Sequence, residues 1–166
     1  MFDLEGQVAV ITGSSRGIGR AIAEAMAQAG ARVVVSSRKP AACDAVVEAI
    51  ANAGGEAIAV PCNVAERSQL EALVERTIEH RGRLDILVCN AAVNPYFGPM
   101  ARMPDDAYER IMNTNVRSNF WLCNLAAARM AANGGGSITI VSSIGAIQGS
   151  ATTAATTSIK AESRSS

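Results

Sequence analysis

The chain has 166 residues, enough for one domain with a substantial core. It is 49% hydrophobic and 18% charged with zero formal net charge, a balance that gives no pull toward nucleic acid or an anionic membrane surface. No apolar run approaches the ~18 residues of a membrane span, and the opening Met-Phe-Asp-Leu-Glu lacks the basic start and apolar stretch of a signal peptide.

Residues 8–11, Val-Ala-Val-Ile, form an unbroken apolar run, which suits a strand buried on both faces of a parallel sheet. Glycines follow at 13, 17 and 19, after which Ile18, Ala21, Ile22, Ala25, Met26 and Ala29 recur at helical spacing. Strand, glycine turn and helix together make a phosphate site the leading reading. Glycine lets the backbone turn tightly and approach a ligand closely. The first helical turn offers unpaired N–H groups and partial positive charge to an anion. Gly13, Ser15, Arg16, Gly17, Ile18 and Gly19 are therefore the candidate phosphate cradle of a dinucleotide. A strand-to-helix turn can need one glycine for its own sake; three in this register favour the ligand.

Gly30 ends the first helix as a C-cap, and residues 32–36, Arg-Val-Val-Val-Ser, read as a second strand. Pro40 starts a helix that runs to about residue 53 and is stopped by Gly54 and Gly55. A third strand over 57–61 leads into Cys62, Asn63 and Val64. Leu70, Leu73, Val74, Thr77 and Ile78 mark a helix stopped by Gly82. A fourth strand over 84–89 is followed by Asn90, Ala91 and Ala92. Residues 94–103, with Pro95, Gly98 and Pro99, read as a loop. A long helical region, with room for a bend, runs from near Pro104 to about residue 132, and the fifth strand covers 137–142.

Repeated βα units with short connections imply an α/β fold: a Rossmann-like, doubly wound parallel sheet with helices on both faces and right-handed crossovers. Ligands of such sheets bind at the carboxyl ends of the strands, where strand order reverses. The small and polar clusters fall at those ends: Thr12-Gly13, Ser36-Ser37-Arg38, Asn63-Val64, Asn90-Ala91-Ala92 and Ser142-Ser143. Residues 1–149 are thus expected to form the dinucleotide-binding domain. Residues 150–166 are an anomalous low-complexity tail almost without large apolar side chains.

The four cysteines, Cys43, Cys62, Cys89 and Cys123, show no Cys-x-x-Cys spacing and read as free thiols in a reducing cytoplasm. His80 is the single histidine, so no histidine-rich metal site, and no metal, is expected. The end of the second strand should face the adenosine ribose, where a carboxylate would accept the 2′-hydroxyl of NAD(H). Ser37 and Arg38 stand there instead, and Arg38 with Arg16 would pair a 2′-phosphate through charge-assisted hydrogen bonds. NADP(H) is the expected cofactor, with NAD(H) as the alternative. Arg38 and Lys39 as solvated surface charges are the competing reading.

The pattern Thr12-Gly13-x-x-x-Gly17-x-Gly19, with Asn63-Val64, Asn90-Ala91-Ala92, Asn115-Val116 and Ser142-Ser143, resembles the short-chain dehydrogenase/reductase family from Gly6 to about Gly149. Within it, Val-Val-Val-Ser-Ser-Arg-Lys and Gly-Gly-Gly-Ser-Ile-Thr-Ile-Val-Ser-Ser-Ile look most like the NADP-dependent carbonyl (retinal-type) reductase branch. Asp-Val is commoner there than Asn63-Val64, and Asn-Ala-Gly commoner than Asn90-Ala91-Ala92; Asn63 can still accept from an adenine amino group through its amide oxygen. The resemblance implies hydride transfer between NADP(H) and a small carbonyl or alcohol substrate. It implies that Ser143 binds the carbonyl, Lys160 holds the nicotinamide ribose, and Asn115 fixes a helix kink and a water of the proton relay. It also implies a tyrosine as general acid at position 156, which in this chain is Thr156.

The family usually continues through two more strands and their helices, so a missing C-terminal part is expected. The chain is then either a partial version of a full-length enzyme or a truncated, non-catalytic nucleotide-binding or interaction module. The resemblance further implies a homodimer or homotetramer packed through the long helix that carries Val116, Phe120, Trp121, Cys123 and Ala127. Phe120 and Trp121 are adjacent, about 100° apart on a helix, so one can face the sheet only if the other turns to a flank.

Overall fold

The computed structural model describes residues 3–143. Strands and helices alternate along them as β1 (Val8–Thr12), α1 (Gly17–Gln28), β2 (Arg32–Ser36), α2 (Pro40–Asn52), β3 (Glu56–Ala59), α3 (Arg67–Arg81) and β4 (Ile86–Cys89). After a 3₁₀ turn at Met100–Arg102 come α4 (Asp105–Ile111), a π-helical segment at Met112–Arg117, α5 (Ser118–Ala132) and β5 (Ser137–Ile140). The described strands form one sheet in the order β3-β2-β1-β4-β5, and every pairing is parallel.

Why the strand runs lack polar alternation is plain from the two cores. Val8 and Val10 of β1, Val34 of β2 and Leu87 of β4 join Leu70, Leu73, Leu122 and Ala126, which belong to α3 and α5. The intervening Ala9, Ile11, Val33, Val35, Ile86 and Val88 join Ala23, Ala27, Val46 and Ile50 of α1 and α2 on the opposite face. A strand covered on both sides needs an apolar residue at every position. Burial of this kind contributes roughly 25 cal/mol per Å² of apolar surface removed from water.

Two features refine the expected elements. The third strand begins at Glu56 rather than 57, and past Ala59 the ladder continues, with Val60 and Cys62 donating to the carbonyls of Val35 and Ser37. Pro61 falls between those two donors, where its missing N–H costs no bond to β2. The ladder so extended delivers Asn63 and Val64 to the carboxyl edge. The helical region that starts near Pro104 carries its bend as the π-helical segment, one of the recognised causes of a helix distortion. The stretch expected as loop over 94–103 contains the 3₁₀ turn.

Asp85 fastens the amino edge of the sheet. Its side chain accepts from the Val8 N–H at 2.9 Å and from Arg83, while its backbone N–H donates to Val8 and its carbonyl accepts from Ser137. Burial pushes the Asp85 carboxyl up; the hydrogen bonds from Arg83 and Val8, with the charges of Arg83 and Arg32, outweigh it and hold the group below its ordinary value. The boundary expected between residues 149 and 150 lies outside the described residues.

Candidate functional site

The glycine turn is built against the end of β4. Gly13 has φ +67°, and a Cβ there would come within 2.9 Å of Ala91 Cα. A Cβ on Gly19 would strike Asn90 Nδ2 and the Gly13 carbonyl. Asn90 Nδ2 donates to the carbonyl oxygens of Thr12 (2.9 Å) and Gly13 (3.2 Å). Thr12 Oγ1 in return accepts from the N–H groups of Asn90 (3.0 Å) and Ala91 (3.1 Å). On the other side Ser14 is fully buried; its hydroxyl donates to Ile11 at 2.7 Å and accepts from the Ser36 N–H at 2.9 Å. The turn is thus clamped to both neighbouring strands at the point where strand order reverses.

What the clamp leaves open is a cleft of about 1110 Å³. Its floor is Gly13, Ser15, Arg16, Gly17, Ile18 and Gly19. Gly17 has φ +57° with nothing within 4 Å of where a Cβ would be. α1 starts at Gly17, and among the described residues no side chain caps it and no carboxylate stands in its first turn. Its first N–H groups therefore face the cleft without a partner from the helix itself. One wall is Ser37, Arg38 and Lys39; a second is Cys62, Asn63, Val64 and Ala65; a third is Asn90, Ala91, Ala92 and Val93. Asp106, Glu109, Arg110, Asn113 and Thr114 close the remaining side. The α1 and β2 side carries three of the four cations, and both carboxylates are on α4.

Asn115 holds the third and fourth walls together. Its Oδ1 accepts from the Val93 N–H and its Nδ2 donates to the Val93 carbonyl, both at 2.9 Å. It is buried within the π-helical segment, whose widened turn presents the amide to the loop after β4. Cys62 lies at the base of the second wall, and burial pushes its thiol up to about 11. Below Asn90, Cys123 packs against the core that holds Cys89; the neighbouring thiol draws Cys123 down against its own partial burial and, together with burial, holds Cys89 far up as a neutral thiol. All four cysteines are free.

The structure therefore brings Gly13, Ser15, Arg16, Gly17, Ile18, Gly19, Ser37, Arg38, Asn63, Val64, Asn90, Ala91 and Ala92 to one cleft. The Ser37 hydroxyl is 3.2 Å from Cys43 Sγ, and Asn63 Oδ1 already accepts from the Ala65 N–H at 3.3 Å. Ser143 stands exposed just past β5 at the same edge of the sheet and is not among the residues lining the cleft. Thr156 and Lys160 lie outside the described residues. The sequence reading passed over Ser14 and the α4 side of the cleft. Ser14 is hidden as an x in the glycine pattern. Asp106, Glu109, Arg110 and Asn113 recur at i, i+3, i+4 and i+7, a spacing that places them on one helical face, but only the fold shows that this face meets the cleft. Among the described residues no three metal-ligating side chains come together, and no helix is long and apolar enough to cross a membrane.

The family profile for short chain dehydrogenase matches residues 7–163. Dehydrogenase/reductase SDR family member 4 of Bos taurus is 41% identical over 143 residues, 86% of this chain and 51% of that protein. An uncharacterized oxidoreductase of Methylorubrum extorquens is 46% identical over 143 residues, 86% of this chain and 57% of that protein. The solved structure of 7α-hydroxysteroid dehydrogenase with NADH and 7-oxo glycochenodeoxycholic acid superposes with a TM-score of 0.92 at 38% identity, covering 96% of this chain and 62% of that one. The chain spans about half the length of the curated relatives it matches.

Proposed function

From the premise that the chain belongs to the short chain dehydrogenase family, we propose that its cleft binds NADP(H) and serves hydride transfer between that cofactor and a small carbonyl or alcohol substrate. One observation carries the reading: an uncapped helix N-terminus opens into a cleft rimmed by Arg16 and Arg38, with no carboxylate at the end of β2. The residues present fit the group. Gly17 leaves the space a phosphate needs, the first N–H groups of α1 supply donors to the pyrophosphate, and Arg38 with Arg16 supplies the charge for a 2′-phosphate.

The nicotinamide supplies the hydride, and that step belongs to the cofactor. Asn115 is a positioning residue: both ends of its amide are committed to Val93, so it fixes the loop after β4 against the π-helical segment. On the family's pattern Ser143 would donate to the substrate carbonyl and Lys160 would hold the ribose and lower the pKa of the general acid. That acid is expected at position 156, where this chain has Thr156. A threonine hydroxyl is a far weaker acid than a phenol, and loss of a positioned acid costs ~10²–10⁴ in rate. We place the protein in a reducing cytoplasm, on its free thiols. We further propose a twofold homodimer or homotetramer through α5, where Phe120 is 67% exposed while Trp121 packs inward against the core.

A second reading, a nucleotide-binding module without catalysis, is favoured by Thr156 alone. A panel of ketones and aldehydes with NADPH separates the two. Turnover above the rate without protein supports the oxidoreductase. Tight NADPH binding with no turnover of any substrate supports the module.

A further inference from the structure

The Ser14 side chain sits where β1 and β2 diverge. It is fully buried and does not line the cleft. Its Oγ donates to the Ile11 carbonyl of β1 at 2.7 Å and accepts from the Ser36 N–H of β2 at 2.9 Å. Its backbone N–H donates to the Ser36 carbonyl at 3.1 Å. Thr12 and Ser36 are the last partners in the register of the two strands, so Ser14 ties them once more just past their paired end. A buried hydroxyl that both donates and accepts in this way fixes the groups it joins.

Beyond that tie the two segments separate, and each brings one arginine to the cleft. Arg16 is two residues past Ser14, Arg38 is two residues past Ser36, and both line the cleft. Two residues of chain reach at most about 7 Å, so the tie limits how far apart the two backbones stand where the guanidiniums depart. Both arginines are exposed, and among the described residues neither takes part in an ion pair. Their separation is set by the backbones that carry them.

We infer that Ser14 is a positioning residue for cofactor selectivity: by joining the glycine turn to the end of β2, it holds Arg16 and Arg38 at the separation that grips a 2′-phosphate between them. The inference rests on the NADP(H) reading of the cleft and adds to it a residue that touches no ligand. The pyrophosphate is common to NADPH and NADH, and its donors at the start of α1 come from one segment only. The 2′-phosphate belongs to NADPH alone and needs both segments in place. Loss of the Ser14 hydroxyl keeps the backbone bond from Ser14 to Ser36 but removes the hydroxyl link between Ser36 and Ile11. The end of β2 then loses part of its hold while the strands below stay paired.

The test is calorimetric titration of NADPH and NADH into the full chain and its variants, each shown folded by circular dichroism. Ser14→Ala should lose at least about fivefold of the parent's preference for NADPH, through weaker NADPH binding, with NADH affinity within about twofold of the parent's. In an Arg38→Ala background, where only one arm of the grip remains, the same substitution should change the preference by less than about twofold. Ser14→Cys keeps the shape with a weak donor and acceptor; it should show the same loss, and it replaces Ser14→Ala if the alanine variant does not fold. A role in stability alone predicts NADPH and NADH weakened alike, with the preference unchanged. That result, or the parent's full preference in folded Ser14→Ala or Ser14→Cys, overturns the inference while leaving the cofactor site standing. A parent that binds NADH as tightly as NADPH, or binds neither, overturns the NADP(H) reading and the inference with it.

Discussion

Gly13 and Gly17 look interchangeable in the sequence, and their surroundings separate them. Both have left-handed φ, +67° and +57°, which costs an L-residue about 1–2 kcal/mol. At Gly13 a side chain must also displace the Ala91 backbone. Gly13→Ala is therefore a folding variant, with a loss beyond that range. Gly17→Ala meets only open cleft, so it loses about 1–2 kcal/mol of stability and puts a methyl group where a phosphate approaches. Urea unfolding paired with NADPH titration distinguishes them: Gly17→Ala should stay the more stable of the two and still bind at least about tenfold more weakly than the parent. Equal stabilities, or undiminished affinity in Gly17→Ala, would contradict this account of the turn. The glycine pattern and Asn90 were legible because each follows an apolar run at a strand end, whereas Asn115 was legible only through the resemblance of Asn115-Val116 to the family's pattern. Asn113 was not, because a polar residue in mid-helix reads as a solvated face until the fold sets a cavity beside it.

At the scale of elements, the strands were legible because three of them are buried on both faces and leave uninterrupted apolar runs. Their ends were less so. Asp85 reads as a charge at the start of a strand, and the structure makes it the acceptor for β1 and the bearer of a depressed acid. Asp85→Ala leaves the Val8 N–H unpaired, a loss of about 1–3 kcal/mol. The sign of the pH dependence follows from the depressed folded value. The contribution of Asp85 is fully present above the ordinary aspartate pKa of about 3.9 and fades as pH falls from there through the lower folded value. The stability gap between parent and Asp85→Ala should therefore narrow as pH drops from about 5 toward 2. A gap constant across that range, measured by thermal unfolding, would show that the ionised carboxylate has no part in it. A bend in the long helical region was expected, but its π-helical form was not: the residues keep helical spacing, and Asn115 within the segment pairs with Val93, 22 residues away in the chain.

Taken whole, the molecule joins a sheet whose order reverses beside β1 to a cleft that collects small, polar and basic side chains from every strand end around it. The doubly wound fold followed from the alternation of elements alone. The cleft followed from the rule that such sheets bind at their carboxyl ends. The acid and lysine of the proposed chemistry, at Thr156 and Lys160, fall outside the described residues, so the central claim is best tested on what the described cleft should bind. Calorimetric titration of the full chain with NADPH and NADH, repeated on Arg38→Asp, does so. The account predicts that the parent prefers NADPH by at least about tenfold, the equivalent of ~1.4 kcal/mol, and that Arg38→Asp loses this preference through weaker NADPH binding. Equal affinity for NADPH in parent and Arg38→Asp, or a parent that favours NADH, would contradict it.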